Sequence, residues 1–230
     1  MIMEEKSIPE CLKNWVPYRL ITAGDETLCR WLYLGNEPIA EPFFEDTISK
    51  CLQLRENSSA YRIVSNIDLL PEWASIADSA KPAAIIFHIS RCGSTLFSQL
   101  LGQQSSNIVL SEVPFFDELL RDAFKKNNLK KCLPLLKAAV QLYSVKRTAE
   151  QKRLFIKADS WHVHFYTQLR ELYPDIPFIL LYRKPAEVIT SHQKKRGMQA
   201  VPGLLEPELF GFNKNEILQC GLDEYMAKVL

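Results

Sequence analysis

From residue 83 onward the chain alternates short apolar runs with stretches of helical spacing, and this alternation limits its fold more than any other feature. "AAIIFHIS" is a continuous apolar run, the pattern of a strand buried on both faces. The helix after it would turn Leu96, Phe97, Leu100 and Leu101 inward and stop at Gly102. "NIVLSE" predicts a second strand, and "PFFDELLRDAF" a helix with Phe116, Leu120 and Phe124 on one side. "LPLLKAAVQLY" predicts a further helix with Pro134 in its first turn. "RLFIKAD" and "PFILLYR" predict two more strands. Between them Ser160 is expected to cap a helix that buries Trp161, Phe165, Leu169 and Leu172. After the last strand, "KPAEVITSHQKKR" predicts a helix opened by Pro185. Strand, helix, strand, helix means an α/β domain, a parallel sheet flanked by helices. Such sheets bind ligands at the carboxyl ends of their strands. Arg91, Glu112, Asp159 and Arg183 fall there.

The first turn, Ser90-Arg91-Cys92-Gly93-Ser94-Thr95, runs from strand to helix. The first amides of a helix lack internal partners, and with the helix dipole they form an anion site. Gly93 allows close backbone approach, Ser94 and Thr95 offer hydroxyls, and Arg91 adds charge. The competing reading is a plain strand–helix connection with a capping serine. A nucleotide-binding loop of the G-x-x-x-x-G-K-[ST] type is a poor fit, because Ser94 follows Gly93 where lysine would stand. A cysteine phosphatase would need an arginine six residues after Cys92, and that residue is Ser98. Cys92 reads as a small packing residue whose pKa a helix N-terminus could lower.

"RCGST" resembles the 5′-phosphosulfate loop of sulfotransferases that use 3′-phosphoadenosine 5′-phosphosulfate (PAPS), with Arg91, Gly93, Ser94 and Thr95 on the family pattern. The arginine form is most similar to the tyrosylprotein and bacterial enzymes. That family binds the 3′-phosphate with an arginine at a later strand end and a serine eight residues on, and "LLYRKPAEVITSH" supplies Arg183 and Ser191 at that spacing. The resemblance covers residues 83 to 196. It implies a P-loop NTPase-like sulfotransferase fold, PAPS as co-substrate, and no metal. His162 and His164, two apart on a helix, also give no metal pattern. In this picture Arg91, Cys92, Gly93, Ser94 and Thr95 hold the phosphosulfate, and Arg183 and Ser191 the 3′-phosphate. Arg91 and Lys157 stabilise the leaving group, although Lys157 also reads as an ordinary strand-end lysine. Glu112, after the second strand, is the expected base. Its rival reading is a carboxylate interacting with a helix dipole. His192 is a second candidate or a solvent-facing residue, His88 a core histidine, and Asp159 a cap. A nucleotide-binding relative without turnover and a P-loop phosphotransferase are the alternatives.

Residues 1–80 differ in texture and form an expected N-terminal α+β extension before the 81–230 domain. "WVPYRLI" and "TLCRWLYL" predict two strands, "EPFFEDTISKCLQL" a short helix, and "ENSSAYRIVSN" a loop. The family's closing C-terminal R-K-G motif is not found. The helix ending on Val229 and Leu230 suggests a truncated chain or pairing with a second copy. A net charge of +1 argues against a nucleic-acid partner, and no apolar run approaches the ~18 residues of a membrane span. The acidic start "MIMEEKSIPE" and six scattered cysteines without a C-x-x-C pair predict a cytoplasmic protein with reduced thiols. The acceptor's class is left open.

Overall fold

The computed structural model describes residues 13–24, 26–36, 38–58 and 62–230. Cys11, one of the six cysteines, lies outside them. Two sheets organise these residues. The first is antiparallel: β1 (Trp15–Ala23) pairs with β2 (Glu26–Tyr33), and β2 with β3 (Val64–Asn66). The expected loop over 56–66 therefore contains a strand. Three residues are too few for an alternating pattern to appear in the sequence, and pairing with Leu28–Arg30 supplies the order. Helix α1 (Phe44–Cys51) follows β2 as expected and buries Phe44, Ile48 and Cys51. Helix α2 (Leu70–Ser75) carries Pro71 in its first turn.

The second sheet is parallel, formed by β4 (Lys81–His88), β5 (Asn107–Ser111), β6 (Arg153–Lys157) and β7 (Phe178–Leu181) in the order β5-β6-β4-β7. The chain leaves β4 for the far edge, returns to β6 beside it, then crosses to β7. The connections on the two sides of β4 thus run in opposite directions, which opens a crevice at its carboxyl end. The molecule is an α/β protein whose sheet is consistent with a Rossmann- or P-loop-like fold. Helices α3 (Ser94–Gly102), α4 (Pro114–Lys125), α5 (Leu129–Tyr143), α6 (Tyr166–Leu172) and α7 (Pro185–Lys194) flank the parallel sheet; α8 (Lys214–Gln219) and α9 (Leu222–Val229) end the chain. One apolar cluster runs from Val16 and Trp31 through α4 and α5 to Ile85 and Leu154. The Tyr143 hydroxyl donates to the Pro17 carbonyl, tying α5 to β1. Among the described residues no helix is long and apolar enough to cross a membrane.

Three helix expectations need correction. Pro134 lies inside α5, not in its first turn, because the helix already begins at Leu129. Its ring and missing N–H leave the preceding turn without one bond. Leu96 and Leu100 are exposed, and α3 instead buries Ser94 and Ser98 against the sheet. Small residues there let the helix approach the strands closely. The segment after β6 starts as a 3-10 turn over Ser160–Phe165, capped by Asp159, not Ser160. Asp159 and His162 form a reciprocal capping box, in which each side chain accepts from the other residue's N–H.

Candidate functional site

The turn after β4 departs from ordinary backbone at three of four consecutive positions. Ser90 (φ 61°), Arg91 (φ 51°) and Gly93 (φ 89°) are all left-handed. A Cβ on Gly93 would meet nothing within 4 Å, so glycine is needed there for conformation and not for space. Residues of opposite hand in succession, as at Arg91, Cys92 and Gly93, can turn their amides to one side, and α3 starts directly afterwards. Across from the turn, Glu112 at the end of β5 is also left-handed (φ 51°). Its N–H donates to the Lys157 carbonyl (2.8 Å), which extends the β5–β6 ladder and aims the side chain across the strand ends.

Lys157 is not an ordinary strand-end lysine. It is buried, and its ammonium group donates to Glu112 Oε1. The Phe43 ring lies 5.0 Å from Lys157 Nζ, a cation–π contact. His88 is buried as expected, and it takes part in the same group. Its Nδ1 accepts from the Ser90 N–H (3.1 Å), which leaves Nε2–H to face the Ala158 carbonyl (3.0 Å) and Glu112 Oε1 (3.2 Å). Burial opposes charge on Glu112, but His88 and Lys157 overcome it and hold the carboxyl below its usual range. Cys92 is half-buried. Burial raises its thiol, but hydrogen bonds with His88 and Ser94 bring it below the usual value.

A cleft of about 770 Å³ opens over these strand ends. Ser90, Arg91, Gly93, Ser94 and Thr95 form one wall; Glu112, Asp159 and Trp161 stand opposite. Lys195 and Gln199 border it as well, and Arg91 Nη2 donates to the Lys195 carbonyl (2.8 Å). Arg183 and Ser191 do not line this cleft. The Arg183 guanidinium is half-exposed, pairs with Glu187 one turn along α7, and reaches the Arg91 carbonyl at 3.4 Å through Nη1. His192 is fully buried, contrary to the solvent-facing reading: its Nδ1 accepts from the Gly197 N–H (3.1 Å) in the turn after α7.

Behind the cleft lies a polar network that sequence reasoning missed. Asp117 of α4 accepts from Trp161 Nε1 (2.6 Å), from His162 Nε2 (3.0 Å) and from Arg121 (3.2 Å). Arg121 also binds Glu206 (2.6 Å). These bonds hold the Asp117 carboxyl below its usual range despite burial. Asp117, Asp159 and His162 place potential ligand atoms within 4.8 Å of one another. The hydrogen bonds do not suit a cation: His162 Nδ1 accepts from the Asp159 N–H (3.3 Å), so Nε2 carries the proton and points it at Asp117. The cluster reads as a hydrogen-bonded support for the cleft floor.

No family model, curated protein or solved structure matches the chain.

Proposed function

We propose that the protein is a PAPS-dependent sulfotransferase, with a parallel sheet of the P-loop sulfotransferase kind. The observation that carries this reading is the meeting of two sequence-distant half-motifs, in which the Arg183 guanidinium reaches the backbone of Arg91 itself. The loop alone would suit many anions. A second arginine, followed by Ser191 on α7, suits a cofactor with two separate phosphate groups.

In this reading Arg91, the loop amides and the hydroxyls of Ser94 and Thr95 hold the phosphosulfate, with the Cys92 amide among the donors. Binding replaces the Arg91 bond to Lys195 and the Arg183 bond to Glu187 with bonds to phosphate. Arg183 and Ser191 select the 3′-phosphate. Lys157 lies under the strand ends, where charge develops on the leaving oxygen, and its ammonium group can pass from Glu112 to that oxygen. Glu112 stands where an acceptor's proton could be taken. The transfer is an in-line displacement with demands close to those of phosphoryl transfer.

Calorimetric titration with adenosine 3′,5′-bisphosphate, against ATP with magnesium, tests the reading. Preferred binding of the bisphosphate that is lost in Arg183→Ala supports it. Preferred binding of ATP–magnesium would identify a phosphotransferase. Binding without transfer to any acceptor would identify a relative that holds the nucleotide without turnover.

A further inference from the structure

Of the five carboxyl groups that line the cleft, Glu112 and Asp159 stand at the ends of adjacent strands and are in different states. Glu112 is occupied by Lys157 and His88. Asp159 is not. It stands two residues beyond β6, lines the cleft and is about nine-tenths buried, and its Oδ2, itself buried, has no hydrogen-bond partner. His162 Nε2 is 3.5 Å from that oxygen, but its N–H is given to Asp117. A small cavity of about 30 Å³, lined mainly by apolar side chains such as Ile85, Phe116 and Leu136, also borders Lys157, Asp159 and His162.

We propose that Asp159, and not Glu112, takes the acceptor's proton. The proposal rests on the transfer reading above. The acceptor oxygen or nitrogen bonds to sulfur, and the bond from sulfur to the bridging phosphate oxygen breaks. The electron pair stays on the departing bisphosphate, and the acceptor's proton passes to the Asp159 carboxylate at the cleft wall. A base works best when its proton affinity suits the working pH and its lone pair is free. Glu112 fails on the first count, because Lys157 and His88, both at its Oε1, stabilise its charge. Asp159 meets both. Burial drives its pKa upward, the charges of Asp117 and Glu112 add to the rise, those of His162 and His88 oppose it, and the group settles at about 7. The facing groups are Glu112 from β5, Asp117 from α4, His88 from β4, Lys157 from β6 and His162 on its own turn. The backbone cap keeps the carboxyl in place, so capping and proton transfer use different features of one residue.

The test compares wild type, Asp159→Asn and Glu112→Gln. Bisphosphate affinity is measured by calorimetry, and transfer of ³⁵S-sulfate from PAPS to water and to 4-nitrophenol is followed between pH 5 and 9. Asp159→Asn is expected to bind the bisphosphate within twofold of wild type. Its transfer should fall about 100-fold or more and lose the rise in rate near neutral pH. Glu112→Gln should keep that rise. Asp159→Ser, which retains a capping oxygen, covers the case in which Asp159→Asn misfolds. Retained bisphosphate binding with a rate rise that survives in the Asp159 variants, or that vanishes in Glu112→Gln, overturns this proposal alone. Binding with no transfer by wild type overturns it too. Absence of bisphosphate binding in wild type overturns the transfer reading itself.

Discussion

The two sheets treat backbone conformation differently. In the antiparallel sheet and its turns, the left-handed positions among the described residues are Gly24 and Gly35, where such a conformation costs little. At the carboxyl edge of the parallel sheet they are Ser90, Arg91 and Glu112 as well as Gly93. A non-glycine residue held there costs about 1–3 kcal/mol. The same edge contains a buried lysine, a buried histidine and a carboxyl with an unpaired oxygen, whereas the antiparallel sheet contributes Val16, Cys29, Trp31 and Leu32 to an apolar core. One region satisfies local rules and the other breaks several together. Such concentrated violation is what a site for binding and chemistry looks like.

The largest expected effect is at Lys157. Lys157→Met leaves Glu112 without its ammonium partner and should destabilise the fold by about 3–5 kcal/mol, read from urea unfolding. Adding Glu112→Gln should restore most of that loss, because the stranded charge disappears. In the antiparallel region Tyr143→Phe, which frees the Pro17 carbonyl, should cost about 1–2 kcal/mol. If Tyr143→Phe costs more than Lys157→Met, the contrast between the regions fails.

A pH series sharpens the same contrast. The Asp159 carboxyl titrates at about 7 when folded, against an ordinary 3.8. With the folded value raised, the unfolded chain loses its proton first. This group's contribution is therefore fully present below about pH 4 and is lost as pH rises to about 7. Asp159→Asn removes that loss. Its melting temperature should match wild type near pH 4 and exceed it by several degrees at pH 8. Equal melting temperatures at both pH values would mean that Asp159 is not held in a costly state.

Most of the fold was legible in the sequence because apolar periodicity is a local signal. The four parallel strands, the two paired strands and α4 follow from it directly. What was missed depended on neighbours far along the chain. The side chains of Leu96 and Leu100 share a helical face with core-like residues, and only the placement of α3 shows that this face is exposed. His192 looks like a polar helix residue until the turn at Gly197 folds over it. Arg91, Gly93, Arg183 and Ser191 could be picked out by motif. The grip of His88 and Lys157 on Glu112 could not, since 24 and 45 positions separate those residues from it. The unpaired oxygen of Asp159 is still less visible, because a cap and a base have the same one-letter code.

Backbone substitutions test whether the turn's cost serves the proposed anion binding. Ser90→Gly relieves a left-handed serine and should stabilise the protein by about 0.5–1 kcal/mol, while the looser turn should bind adenosine 3′,5′-bisphosphate more weakly. Gly93→Ala should destabilise by about 1–2 kcal/mol through conformation alone. The smallest effect is expected at the other half-site. Arg183, just before α7, and Glu187 in its first turn form an exposed pair, worth about 0.2–1 kcal/mol. Glu187→Gln should leave stability almost unchanged. It also frees the guanidinium for phosphate and removes a repelling carboxylate, so bisphosphate affinity should rise about twofold by calorimetry, and more at low salt than at high. A fall in affinity would mean that Glu187 orients Arg183 for the phosphate, and that in the proposed site this half is preorganised by its ion pair.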